Sequence, residues 1–483
     1  MKLVKIVLAI AIALTFTPVA FAETQSVKVS GDITMRAFLR DNLDLDSRDQ
    51  RTVSSTNTQS FLMSTAEVQI DADLTDNVSG VIRLLNQRAW GDHNTSWVDG
   101  ETMNPAGTPG SGLNAFNVAA DLAYIELREF LYSPLTLRIG RQDLWFGRGF
   151  IVGNSLMDPQ GNLPAPEYTA INSFDAIRGT LDFYPWTVDL VYAKISERDI
   201  RADDDVNLMG INVGYIFDEY NAEMEGYYWL KQDRNPGAAR GLGNTASWTT
   251  TNGRLSNNVN TFGLRGSFDP IEDWTVALEG AMQIGRYIGA QSQLDNRNRY
   301  AYAIDAMVET RVFQEDYAWR PVLGVEYILY SGQSDQGNVD ATTSGSYRGW
   351  DPMYRGKFDT AIREFQGSFY NTSQNITPGT TNQHQVLFRG TIEPMDSVTV
   401  EGVYGLFWLY SQYARDQVNE PTNKNMFLGQ EIDVNVLWDY TEDVQFGLLT
   451  AWFFPGSAFS SDVQGQGKRA AATSMVGTVK LSF

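Results

Sequence analysis

Cysteine is absent from the chain, and histidine occurs only twice, as His93 and His384. The first absence excludes a disulfide framework, a thiolate nucleophile and a Cys-bound zinc or iron–sulfur site. The second leaves little material for imidazole chemistry. Triads assemble in space, so separation alone does not exclude a Ser-His-Asp hydrolase. No Gly-x-Ser-x-Gly elbow accompanies either histidine, and both read as surface residues, His384 opening a strand and His93 in a loop. Positive charge is also scarce: 37 Lys and Arg stand against 58 Asp and Glu, a formal net charge of −21. That balance argues against a nucleic-acid partner, whose phosphates require a basic face. Beyond the first twenty residues no apolar run of eighteen occurs, so no spanning helix is expected.

Three apparent motifs carry no chemistry. Gly241-x-Gly243-x-x-Ala246 matches a dinucleotide fingerprint in spacing, but no βαβ unit surrounds it. Asp41, Asp44, Asp46 and Asp49, like Asp203-Asp204-Asp205, could bind calcium, yet lack EF-hand spacing and read as solvated loops. No cofactor, metal or enzymatic activity is expected.

What the chain does contain begins at its ends. Lys2 and Lys5 precede an apolar run from Ile6 to Val19, and Ala20-Phe21-Ala22 fits a small-x-small cleavage site. Residues 1–22 therefore read as a secretory signal peptide, whose removal takes the charge from −21 to −23, and residues 23–483 as one domain. In the last segment Met475, Gly477, Val479, Leu481 and Phe483 alternate with Val476, Thr478, Lys480 and Ser482. Strict alternation defines a strand with one apolar and one polar face. Aromatics make up 12% of the chain, and Trp and Tyr favour membrane interfaces. The mean hydropathy is nevertheless negative. A transmembrane barrel with a wet lumen gives that value, because only every second strand residue meets lipid.

Eighteen strand-like runs follow one another: 26–40, 59–73, 78–90, 118–131, 135–142, 173–184, 186–198, 206–217, 221–232, 257–268, 274–286, 298–311, 319–331, 384–392, 398–411, 426–438, 444–454 and 471–483. Sixteen is the alternative count. Short separators hold Asp, Pro and Asn, at 75–77, 133–134, 185, 218–220, 269–273, 393–394 and 440–443. Such residues pre-set turn dihedrals or bond their own backbone. Long separators occupy 41–58, 91–117, 143–172, 233–256, 287–297, 332–383, 412–425 and 455–470, with 199–205 shorter. Short–long alternation predicts an all-β, up-and-down antiparallel transmembrane barrel with short periplasmic turns and long extracellular loops. A barrel of this size encloses water, so a pore is the default function.

Parity assigns the faces. In the first strand Val27, Val29, Ile33, Met35 and Leu39 look outward, and Lys28, Asp32, Arg36 and Arg40 inward. In the second, Leu62, Ala66, Val68 and Ile70 meet lipid, while Glu67, Gln69 and Asp71 face water. The same alternation turns Arg83, Arg128, Arg138 and Arg178 inward on the third to sixth strands. Later strands turn carboxylates inward: Glu223, Glu225, Glu279, Asp305, Glu309, Glu326, Glu401, Glu431 and Asp433. Cross-strand pairs such as Glu126 with Arg83 are expected within this set. In the longest loop, Phe358, Ile362, Phe365 and Phe369 recur at helical spacing, consistent with a short amphipathic helix on the barrel mouth or an irregular packed loop.

The densest patch of basic, glycine and aromatic residues surrounds the fifth and sixth strands. It includes Arg138, Arg141, Arg148 and Arg178 around the loop Asp143-Leu144-Trp145-Phe146-Gly147-Arg148-Gly149-Phe150. A loop this rich in Gly and aromatics can fold inward and narrow the pore. Arginine suits such a site because its forked donors bind carboxylates bidentately. Equally, the arginines can brace the loop against Asp143 and Asp175; Arg265, further along the wall, would matter less to a constriction.

Gly140-Arg141-Gln142, Phe146-Gly147-Arg148-Gly149 and Phe174-Asp175-x-x-Arg178, together with the eighteen-strand layout of the whole mature chain, resemble the alginate-export family of outer-membrane proteins. The resemblance implies an outer-membrane channel with an arginine-lined constriction passing an anionic polysaccharide. Arg83, Arg128, Arg138, Arg141, Arg148, Arg178 and Asp175 are the candidate site residues. The acidic later wall is a feature such a conduit must accommodate. A general porin for small polar solutes is the nearest alternative, and a structural barrel around a periplasmic electron-transfer protein a more distant one. Membrane lipid and the solute are the expected partners, and the location admits periplasmic export components.

Overall fold

The computed structural model describes residues 26–43, 45, 58–90, 118–131, 133–153, 173–197, 205–234, 249–250, 253–254, 256–288, 296–311, 313, 317–333, 345–364, 381–411, 425–459 and 470–483. The expected signal peptide, His93 and the Gly241–Ala246 match lie outside them, as do Phe365 and Phe369.

Twenty strands follow in chain order. They are β1 (Ser26–Asp41), β2 (Thr58–Thr75), β3 (Val78–Ala89), β4 (Ala119–Leu127), β5 (Leu135–Gln142), β6 (Phe174–Phe183) and β7 (Trp186–Ser196). Next come β8 (Val206–Phe217), β9 (Ala222–Asp233), β10 (Thr249–Thr250), β11 (Gly253–Arg254), β12 (Asn257–Ile271), β13 (Trp274–Ile288) and β14 (Asn296–Thr310). The last are β15 (Val322–Tyr330), β16 (Gln383–Met395), β17 (Val398–Leu409), β18 (Phe427–Asp439), β19 (Val444–Pro455) and β20 (Ala472–Ser482). The pair β10–β11 is a separate two-residue hairpin, and the other eighteen form one antiparallel sheet that closes on itself through β1 and β20. Closure follows from the solvent: in hydrocarbon an open edge leaves backbone groups unsatisfied. The seam is clamped by the last residue, for Phe483 and Gly31 exchange backbone hydrogen bonds of 2.9 and 3.0 Å. A side chain on Gly31 would stand 2.7 Å from the Phe483 ring, so glycine lets the terminal aromatic lie across β1.

All eighteen expected strands are present. The fourth is shorter than expected, ending at Leu127, because Glu129 and Leu131 turn the chain with positive φ. Two expected turns are instead strand. Pro270 lies within β12 and Pro394 within β16, each at a register irregularity, between Phe268 and Ile271 and between Ile392 and Met395. Proline has no ladder donor, and a bulge is where a strand tolerates that loss. The actual reversals are the two-residue links 272–273 and 396–397.

The faces follow the alternation. Val27, Val29, Ile33, Met35 and Leu39 are exposed along the outside of β1, as are Leu62, Val68 and Ile70 on β2. Exposed aromatics gather near both ends of the strands, with Trp186, Phe217, Trp319 and Trp438 toward the short turns and Trp90, Tyr300 and Trp452 toward the long loops. These are the interfacial girdles of a membrane barrel.

The core lies inside the barrel. Residues 143–153 and 345–364 leave the wall and fold into the lumen, where they join backbone to backbone. Tyr354 N–H donates to the Ile151 carbonyl at 3.0 Å, Gly153 N–H to that of Tyr354 at 2.8 Å, and Gly356 N–H to that of Gly149 at 2.9 Å. Phe146, Phe150, Ile151, Val152, Trp350, Met353, Tyr354 and Ile362 are buried against inner-wall residues such as Trp229, Tyr330, Leu387 and Phe407. The stretch 345–362 is irregular rather than a helix on the mouth. Phe358 is exposed whereas Ile362 is buried, so the two do not share a face.

Two outcomes test this architecture. Val434 and Asn435 are adjacent on β18, the first on the outer face with Ile432 and the second on the inner face beside Glu401. Val434→Arg should impair folding into membranes by roughly 2–4 kcal/mol, whereas Asn435→Arg should fold normally; equal defects would refute the face assignment. Epitope insertions within 91–117 or 233–256 should be tolerated and reached by antibody on intact cells. An insertion between Met353 and Lys357 should disrupt the plug and raise conductance, even though it lies in the longest separator.

Candidate functional site

The inner wall is chemically divided, and the inserted segments fit that division. On one side stand β14, β15 and β18 with their inward carboxylates, and β16 between them with Arg389. Arg148, on the first inserted segment, spans to Asp305 at 3.3 Å and to Glu326. Lys357, on the second, pairs with Asp305 at 2.9 Å, with Asp359 at 3.4 Å and with Glu326. Arg389 of β16 bonds Glu326 and Asp359, both at 2.9 Å. Arg355 is buried against Glu364 at 2.8 Å and Asp359. Further along, the N–H groups of Ile362 and Arg363 donate to Glu431 at 2.6 and 2.8 Å, and that of Ala361 to Asp433 at 3.0 Å. The acidic wall is thus the docking surface of the plug.

A second anchor holds the base of the longer segment. Asp351 accepts from Lys231 at 2.8 Å and lies 3.7 Å from Arg299, while Gln283 exchanges two 2.8 Å bonds with its backbone. Burial alone would raise the Asp351 carboxyl. Lys231 and Arg299 outweigh it and hold the group down at about 2. Burial lowers Arg363 to about 10, with Glu364 and Glu431 opposing the shift.

The other side of the lumen carries the arginines. Arg83 reaches Asp121 at 2.7 Å, Arg138 reaches Glu126 at 3.0 Å and Arg178 reaches Asp189 at 2.8 Å. Arg138 and Arg178 are direct cross-strand neighbours. The guanidinium of Arg178 also lies 5.0 Å from the ring centroid of Phe146, linking this wall to the plug. These pairs share an asymmetry. Arg138, Arg148, Arg178 and Arg389 have side chains 20–32% exposed, whereas their partners Glu126, Asp189, Asp305, Glu326 and Asp359 are 0–13% exposed. Arg83 is mixed, 20% exposed against 1% for Asp121 but 49% for Asp143, 3.7 Å away. Apart from Arg83 with Asp143, these pairs bury the carboxylate, in the wall or the plug, and leave the guanidinium more open to water.

Several expected positions fall elsewhere. Arg128 lies in the turn beyond β4 with its side chain 53% exposed, bonded to Glu126 at the periplasmic rim. Arg141 shares the parity of lipid-facing Ile139, and Asp175 that of Ile177; this pair, 3.6 Å apart, stands on the outer face near the extracellular ends of β5 and β6. Arg83 does not pair with Glu126, because the hairpin register places Glu126 opposite Ser79 and Leu122 opposite Arg83; the irregularity between Arg83 and Leu84 brings Asp121 beside it instead. Arg148 is braced not by Asp143 or Asp175 but by carboxylates across the lumen. Arg265 is no remote bystander either. It pairs with Glu223 and Glu225 at 2.5 and 2.6 Å and lies under Gly147, where a Cβ would meet its side chain at 2.8 Å. His384 faces outward, its ring 5.4 Å from that of Trp408 and 6.1 Å from that of Tyr327.

Strand parity could have found Arg389, which shares the inner face of β16 with Gln385 and Leu387. Nothing periodic marked Asp351, Arg355 or Lys357, whose placement depends on an irregular segment.

Solved structures similar to this fold include Pseudomonas aeruginosa OpdQ (10% identity, TM-score 0.51, covering 96% of this chain and 99% of that one). Acinetobacter baumannii OccAB1 matches at 10% identity and TM-score 0.53, over 96% and 99%. A BenF-like porin from Pseudomonas fluorescens Pf-5 matches at 9% identity and TM-score 0.51, over 95% and 100%. Identities this low speak for the fold. No curated protein matches the chain. The family model described as alginate export matches residues 33–473. With that match covering nearly all of a closed eighteen-strand barrel, the chain belongs to the alginate export family, whose fold is that of outer-membrane channels.

Proposed function

We propose that the mature protein, with residues 1–22 removed as a signal peptide, is an outer-membrane channel that passes anionic oligo- or polysaccharide by diffusion. The solute moves past Arg83, Arg138 and Arg178 on the wall and Arg148 and Arg389 beside the plug. The observation that carries this reading is the asymmetric exposure of the ion pairs. At Arg138, Arg148, Arg178 and Arg389 a solute in the lumen meets guanidinium N–H groups, while the balancing carboxylates are more deeply buried. A uronate carboxylate is a planar, two-oxygen acceptor, the geometry that guanidinium binds bidentately. Asp305 and Glu326 are paired with Arg148, Lys357 and Arg389, and Glu431 and Asp433 with backbone N–H groups of the plug, so these four carboxylates oppose a polyanion less than the bare sequence suggested. Family membership is consistent with alginate-like solutes. No nucleotide motif is present, so the gradient or a partner in the periplasm supplies the direction.

One observation favours a general porin. At β9 and β12 the asymmetry reverses: the Arg265 side chain is 10% exposed and that of Glu223 46%. Opposed basic and acidic surfaces set up a transverse field that would screen small polar solutes.

Selectivity separates the two. The double variants Arg138→Gln with Glu126→Gln, and Arg178→Gln with Asp189→Asn, each remove one charge of either sign. Net charge is conserved and no carboxylate is stranded. In planar bilayers under a salt gradient, both should shift the reversal potential toward cation selectivity and weaken block by uronate oligomers. The shift should fade between 0.1 and 1 M salt, as the screening length falls from about 10 to about 3 Å. Unchanged selectivity and block in channels of normal conductance would favour the general porin.

A further inference from the structure

We propose that Trp145 is a stacking platform for a sugar ring, a binding subsite for one uronate residue of the passing saccharide. This rests on the channel reading above and adds to it a contact that is not electrostatic. Trp145 belongs to the inserted segment, where its neighbours Leu144 and Phe146 are both buried, yet its own side chain is 51% exposed. The alternation turns the indole away from the core toward the aqueous side of the plug. Its backing is unusually flat. A Cβ on Gly149, Gly153 or Gly356 would lie 2.5, 2.9 or 2.6 Å from the indole, so only glycine at all three lets the ring rest against backbone. Gly149 is further committed by its φ of +74°. The indole Nε1 donates to the Gly147 carbonyl at 3.0 Å, fixing the ring in its plane.

A large aromatic face held rigid and half open is a preformed stacking surface, with little ordering left to lose when a ring settles on it. The occupant is constrained by what the backing segments carry. Arg148 adjoins Gly149 and Lys357 adjoins Gly356 in sequence, and both are cations whose carboxylate partners are fully buried. A flat apolar face on two segments that each carry a cation next in sequence to the backing glycines matches a pyranose uronate, which has C–H groups on one ring face and a carboxylate on its rim. A neutral sugar would use only the indole, and a simple anion only the cations.

The test is single-channel recording of Trp145→Phe and Trp145→Ala with uronate oligomers, with chloride–potassium selectivity and open conductance measured in the same channels. Residence times of blocking events should fall in the order Trp, Phe, Ala. The loss to Ala should be about 2- to 12-fold, the factor ring stacking contributes, while selectivity and conductance stay unchanged. Wild-type residence times in both variants would overturn the platform and leave the charge-based channel standing. If uronate oligomers fail to block even the wild-type protein, the channel reading and the platform fall together. If Trp145→Ala alters conductance, Trp145→Phe decides: an unshortened residence time at normal conductance refutes the proposal, and a shortened one supports it.

Discussion

Closure of the sheet is the constraint on which everything else rests. Hydrocarbon offers no hydrogen-bond partner to a strand edge, so β1 must find β20, and every hairpin between them must keep its register. One slipped residue would turn a whole strand's polar face toward lipid. The chain secures the seam with Phe483 lying across Gly31 and with Lys480 beside Asp32 on the inner face at 3.4 Å. Once closed, eighteen strands enclose a space too wide for wall side chains to fill. The protein fills part of it with two stretches of its own chain.

That filling explains a charge pattern otherwise at odds with an anion channel. Fixed carboxylates on β14, β15 and β18 serve the plug: Asp305, Glu326, Glu431 and Asp433 receive cations and backbone N–H groups from residues 148 and 357–363. Removing one partner of such a buried pair is expected to cost about 3–5 kcal/mol, because the other charge is stranded. The plug is therefore strongly positioned by electrostatics and sealed by aromatic packing, as where Phe146 meets Trp229 at 4.8 Å. The acidity of the whole chain and the character of its passage are separate quantities.

The barrel was legible because lipid enforces a period of two on every strand, and turn residues punctuate the runs. The errors in strand reading have local causes: Pro270 and Pro394 read as turns because bulges that absorb proline leave no signature in a single sequence. The wall arginines Arg83, Arg138 and Arg178 were legible for the same reason as the strands. Arg141 and Asp175 were drawn into the site by proximity in sequence to a glycine-rich loop, although parity with Ile139 and Ile177 places them outside. What sequence did not disclose was contact at long separation. Arg148 with Glu326, and Lys231 with Asp351, join residues more than a hundred positions apart, and the segment 345–364 has no periodicity from which its path could be drawn.

The central claim is that the accessible side of the lumen's ion pairs is cationic in a strongly acidic protein. The most direct measurement is the reversal potential of the unmodified protein in a planar bilayer under a tenfold potassium chloride gradient at low ionic strength. The account predicts a potential of the sign that marks anion preference. A potential marking cation preference, as the net charge of the chain alone would give, would contradict it.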